Sequence, residues 1–85
     1  MKDILNNYSF KRIEFNTNTQ ECKEIEYGQI WLNYKEAHRL LKWYADIYYK
    51  ALIKQCSDVR IIPDVNGIKV TAGEYIYIFV NKVIG

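Results

Sequence analysis

The run Tyr75-Ile76-Tyr77-Ile78-Phe79-Val80 decides the architecture of this chain. It is the longest uninterrupted apolar stretch, yet far too short to span a membrane. Its composition of β-branched and aromatic residues reads as a strand. Successive strand side chains point to opposite faces, so Tyr75, Tyr77 and Phe79 form one row and Ile76, Ile78 and Val80 the other. One row is expected to pack beneath a helix. The aliphatic row suits that position better, which leaves the aromatic row on the opposite side of the sheet.

The elements around this run follow from turn and cap chemistry. Ala72-Gly73-Glu74 turns the chain into the last strand, which extends to about Val83. Val59 to Val65 and Ile68 to Thr71 flank Asn66-Gly67, a dipeptide suited to the positive φ angles of a type I′ hairpin turn. Pro63 cannot donate to a strand ladder, so its strand is expected at an edge or bulged. Upstream, the spacing predicts a helix from Tyr34 to Cys56. Asn33 is placed to cap it, Glu36 completes a capping box, and Leu32 with Ala37 forms a weak hydrophobic staple. Ala37, Leu40, Leu41, Tyr44, Tyr48, Ala51 and Leu52 share one helix face, opposite Lys35, Arg39, Lys42, Asp46 and Lys50.

The N-terminal third reads as a hairpin. Tyr8 to Asn16 is aromatic and β-branched, Asn16-Thr17-Asn18-Thr19 is turn-forming, and Glu21 to Tyr27 returns. A bulge near Lys11-Arg12 would bring Phe10, Ile13 and Phe15 to one face. The predicted fold is therefore α+β: an antiparallel sheet with one long helix packed on one face, in the order ββαβββ. Eighty-five residues make a single compact domain, residues 1–85. A chain this short needs a dense core, and 49% hydrophobic and 15% aromatic residues provide it. No secretory signal is evident. Cys22 and Cys56 lack paired spacing and are expected as buried or partly buried free thiols in a reducing cytoplasm.

Catalytic chemistry finds little support. His38 is the only histidine, and no loop signature joins it to Cys22, Cys56, Ser9 or Ser57 as a nucleophile–base pair. One histidine and two scattered cysteines do not make a zinc site, and none of the four glycines precedes a helix in a phosphate-loop pattern. Glu24 and Glu26 share a strand face without the apolar enclosure that raises a catalytic carboxyl pKa. The expectation is a non-enzyme with no cofactor or metal.

Two surfaces remain as candidate partner sites. Trp43, Tyr49 and Ile53 intrude on the charged side of the helix beside Lys42 and Lys50, a mixture typical of binding interfaces. The row Tyr75, Tyr77 and Phe79 would form an open aromatic stripe unless Trp31 and the N-terminal hairpin cover it. The leading expectation is a protein-binding module, of the inhibitor or regulator type that mobile elements encode, acting by masking a surface of a larger host protein. The alternative is a small nucleic-acid-binding domain. It would use the basic helix, with Lys35, Arg39, Lys42, Lys50 and Lys54 on phosphates, or stack bases on the aromatic stripe. A net charge of only +2 weighs against it. A homodimer is compatible with either reading.

Overall fold

A computed structural model describes residues 4–65 and 67–84. The elements are β1 (Asn6–Asn16), β2 (Cys22–Leu32), α1 (Tyr34–Leu52), β3 (Val59–Asp64), β4 (Gly67–Ala72) and β5 (Tyr75–Val83). The five strands form one antiparallel sheet in the order β2-β1-β5-β4-β3. Helix α1 lies on one face, so the expected α+β arrangement and its ββαβββ order are both present. Pro63 sits on β3, an edge strand. No helix among the described residues is long and apolar enough to cross a membrane.

Helix α1 starts where its cap chemistry places it. Asn33 Oδ1 accepts from the Glu36 backbone N–H at 2.8 Å, and Glu36 Oε1 accepts from the Asn33 N–H at 3.2 Å. Such a box satisfies two otherwise orphaned donors, and its cap alone contributes about 1 kcal/mol. The helix ends at Leu52, short of Cys56, as the N–H groups of Gln55 and Cys56 turn back onto the Leu52 carbonyl. Ala37, Leu41 and Ala45 are buried against the sheet, with Leu40, Tyr44, Tyr48, Tyr49 and Leu52 packed at the margins. The buried face is thus rotated from the expected one: Ala51 is exposed, and Ala45 takes its place in the core.

The covered row of β5 is the aromatic one, which corrects the expectation from sequence. Phe79 is 0% exposed, and Tyr48 of α1 meets its ring at 5.5 Å and that of Tyr77 at 4.8 Å. The reason lies in β4. Its Ile68, Val70 and Ala72 are buried and alternate with half-buried Lys69 and Thr71. The two-residue Gly73–Glu74 turn, with Gly73 at φ +58°, pairs Ala72 with Tyr75, Val70 with Tyr77 and Ile68 with Phe79. Directly paired residues share a face of the sheet. The apolar row of β4 therefore carries the aromatic row of β5 under the helix, where small Ala37 and Ala45 leave room for rings.

The hairpins differ from expectation by single residues with large effects. Phe10 pairs with Gly28 and Lys11 with Glu26, so the bulge is in β2, at Tyr27, and not at Lys11-Arg12. Gly28 adopts φ +115°, a backbone region that glycine alone enters at little cost. Strand β2 bends there without ending and continues to Leu32. Meanwhile β1 alternates unbroken: Tyr8, Phe10, Arg12 and Glu14 share the helix face, while Ile13 and Phe15 point away. In the β3–β4 hairpin Asp64 pairs with Gly67, so Gly67 belongs to the strand and not to the turn. A Cβ at Gly67 would run into the Phe79 carbonyl oxygen. Asn66, the other half of the expected turn dipeptide, lies outside the described residues.

Phe79→Ala should lower the unfolding free energy by about 3–5 kcal/mol, the usual effect of emptying a phenylalanine site in a core. Urea denaturation measures it. A loss under about 1 kcal/mol, typical of surface positions, would place the aromatic row on the solvent side.

Candidate partner-binding surfaces

The outer face of α1 carries the first candidate surface. At 100° per residue, Trp43 lies opposite the buried Ala37–Leu41–Ala45 stripe, at the crest of the helix. It is 56% exposed, and Ile47, one turn on, is 45% exposed. Lys35, Arg39, Lys42 and Lys50 are exposed on the same outer half of the helix, and Asp46 is half-buried. Trp43 leans edge-on against Tyr44, ring centroids 5.6 Å apart, and Tyr44 in turn stacks on Tyr27 of β2 at 4.3 Å. Tyr27 is in phase with Ile25, whose partner Arg12 faces the helix, and the bulge reverses the phase only of the residues beyond it. The expected trio does not stay together. Tyr49 packs against the core and Ile53 sits at the C-cap, whereas Ile47, passed over in the sequence, is the apolar neighbour of Trp43. Its i,i+4 spacing from Trp43 was the available signal.

The expected aromatic sheet surface is not an open stripe. Phe79 is beyond the reach of a partner, Tyr77 lies beneath Tyr48, and only Tyr75 of the three is exposed. The uncovered face of the sheet instead presents Ile13, Phe15, Ile76, Ile78 and Val80, all half-buried by their strand neighbours. Trp31 is 62% exposed and pairs with Asn7 at one end of this same face, so it does not cover the tyrosines.

A polar cluster joins the C-terminal half of α1 to the hairpin. The Arg12 guanidinium lies 4.5 Å from the Tyr48 ring centroid and 5.6 Å from that of Tyr27. It donates to the Tyr27 hydroxyl and forms an ion pair with Glu14 at 3.1 Å. The Tyr48 hydroxyl donates to Glu14 Oε1 at 3.2 Å, and Lys23 Nζ approaches Oε2 at 3.6 Å. Among the described residues no buried side-chain polar atom lacks a partner. The cluster is internally satisfied, and its chemistry serves to hold the helix on the hairpin. Burial pushes the Tyr48 hydroxyl up to about 12, with Arg12 opposing the shift and Glu14 adding to it. Tyr77 is raised as well, by burial first and then by Glu14.

His38 is exposed on the first half of α1, beside an open cleft of 630 Å³ between the helix and the β3–β4 hairpin. Cys22 begins β2 beside the Phe15 pair, and Cys56 follows the helix, whose end at Leu52 lies about 20 Å beyond His38 at 1.5 Å per helical residue. Both cysteines are free and exposed, a correction to the expectation of burial. Neither forms a hydrogen-bonded pair with His38. Among the described residues no three of His, Cys, Asp and Glu gather as metal ligands would.

The tyrosine shifts give a pH dependence of definite sign. Between the ordinary tyrosine pKa of 10.0 and about 12, the unfolded chain ionises at Tyr48 while the folded chain keeps its proton. The unfolded state then binds fewer protons, so stability falls as pH rises through this window. The urea midpoint should drop across it, and Tyr48→Phe should flatten the drop. A midpoint equally steep in the variant would assign the effect elsewhere. No family model, curated protein or solved structure matches this chain.

Proposed function

We propose that this protein is a non-catalytic binding module that masks a functional surface of a larger protein, in the manner of small inhibitors encoded by mobile elements. The observation that carries the reading is Trp43. A large ring stands at the crest of a capped helix, with Ile47 beside it and Arg39, Lys42 and Lys50 nearby. Tryptophan anchors surrounded by charge dominate the energetics of many interfaces. The helix is tied to the sheet by its alanine face and by the Arg12–Glu14 cluster, so little ordering is required on binding. The basic surround favours a partner that offers an apolar pocket with an acidic rim. Two exposed free thiols support a reducing compartment such as the cytoplasm.

The nucleic-acid alternative has lost one of its two surfaces, because Tyr77 and Phe79 are beneath the helix. Its remaining support is the exposed lysines and arginine of α1, and these serve a protein partner equally well.

Affinity purification with the wild-type chain should retain a protein that Trp43→Ala fails to retain. Once that protein is isolated, calorimetry should show a loss of about 2 kcal/mol or more for Trp43→Ala, the scale of an interface hot spot. Lys42→Glu with Lys50→Glu should chiefly slow association at low salt. Absence of any reproducible protein partner, together with steeply salt-dependent binding to DNA or RNA, would replace this reading with the nucleic-acid one.

A further inference from the structure

The sheet face turned away from α1 carries an apolar stripe two strands wide. Ile13 of β1 pairs with Ile78 of β5, Phe15 pairs with Ile76, and Val80 extends the stripe opposite Lys11. The only helix among the described residues lies on the other face, so no described element covers these side chains. The middle row of the register runs Glu24, Ile13, Ile78, Lys69, Ile62 from β2 to β3. A carboxylate and an ammonium thus stand on opposite flanks, each one strand outside the stripe. With strands about 4.8 Å apart, each is about 7 Å from its midline.

That placement has the symmetry of a self-complementary surface. Consider a two-fold axis along the midline between β1 and β5, lying in the plane of contact. It sets β1 over β5 of a second copy and β2 over β4. Ile13 then meets Ile78, Phe15 meets Ile76 and Glu24 meets Lys69, each contact occurring twice as an isologous interface requires. In the same superposition Lys11 falls over Val80, Glu26 over Gly67 and Cys22 over Thr71, so no like charges stand directly opposite. Glu24 is paired within its own chain to Lys11 at 3.1 Å, an exposed contact that holds it only weakly. Among the described residues Lys69 has no carboxylate in ion-pair reach.

The chain also exposes more surface than its mass alone requires. The chain exposes 6319 Å², whereas a compact monomer of 10.2 kDa exposes about 5,300 Å². Ile4 and Leu5 contribute to the difference. The excess belongs to the whole surface, of which the open face with its five half-buried apolar residues is one part. The radius of gyration, 13.9 Å, likewise exceeds the roughly 12 Å of a compact 85-residue domain. Two sheets packed face to face would bring a two-layer chain to the four-layer depth of a sandwich with helices outside.

We propose that a second copy of this chain occupies the open face, in a two-fold dimer with Glu24 of each copy opposite Lys69 of the other. This surface is separate from the Trp43 crest, so the two readings stand or fall independently. Sedimentation equilibrium tests it. The wild-type chain should sediment at twice 10.2 kDa, and Ile78→Lys should return it to the monomer mass. Glu24→Lys and Lys69→Glu, each alone, should weaken self-association by about tenfold or more through like-charge opposition. Mixing those two single variants should restore the doubled mass. In the mixed dimer the two substituted side chains face each other with opposite charge, and the remaining native Glu24 and Lys69 do the same. Circular dichroism checks that each variant is folded, and the two charge variants carry the test should Ile78→Lys unfold. A wild-type chain that stays monomeric into the millimolar range would overturn the proposal. So would a dimer indifferent to both charge reversals, or one that mixing fails to restore.

Discussion

The Gly73–Glu74 turn fixes Ala72 against Tyr75, and that pairing sorts every side chain of the last two strands between the faces of the sheet. A two-residue hairpin loop leaves no freedom of register, and a slip of one residue would exchange the faces entirely. Ile68, Val70 and Ala72 are the only apolar residues that alternate cleanly along β4. Their burial drags Tyr77 and Phe79 under the helix and sends Ile76, Ile78 and Val80 to the opposite side. Strand β5 then passes the same phase to β1, where Phe10 and Arg12 fall on the helix side and Ile13 and Phe15 do not.

Beneath the helix the packing has two characters. Along the inner face of α1, Ala37, Leu41 and Ala45 meet Tyr8, Phe10, Ile68 and Phe79 in one apolar cluster. Toward the C-terminal half the same layer becomes polar and aromatic, with Arg12 against the rings of Tyr27 and Tyr48 and Glu14 accepting from both Arg12 and Tyr48. Tyrosine makes this gradient possible, because one side chain fills the layer with its ring and satisfies a charge with its hydroxyl. Desolvation of Tyr48 is the electrostatic trace of that arrangement.

Much of the fold was legible in local chemistry. The Asn33–Glu36 box, the start of the long helix and the number of strands are decided by neighbouring residues and agree with the sequence, whereas the helix ends four residues early, at Leu52. The phase of the strands was harder, because both rows of β5 are apolar and intrinsic preference does not choose between them. The answer was present in Ile68-Lys69-Val70-Thr71-Ala72 together with the tight turn that follows. Trp31 illustrates the limit: it falls on the open face opposite Asn7 because of a bulge at Tyr27 whose register only the partner strand defines. The same limit governs the candidate site. Trp43 was legible from helical spacing, whereas Tyr49 and Phe79 were lost to packing that spacing alone does not reveal.

The sheet places its last strand in the middle. Strands β1 and β5, furthest apart in the chain, form the central pair, and the Ile84 N–H closes on the Asn7 carbonyl at 2.8 Å. Until β5 has left the ribosome, the chain can hold only two separate hairpins, and neither has enough buried surface to persist alone. The domain must therefore assemble after β5 is made, through contacts of long sequence separation that are entropically slow to close. A ribosome that stalls before Tyr75 leaves two hairpins with unpaired inner edges, open to proteolysis and aggregation.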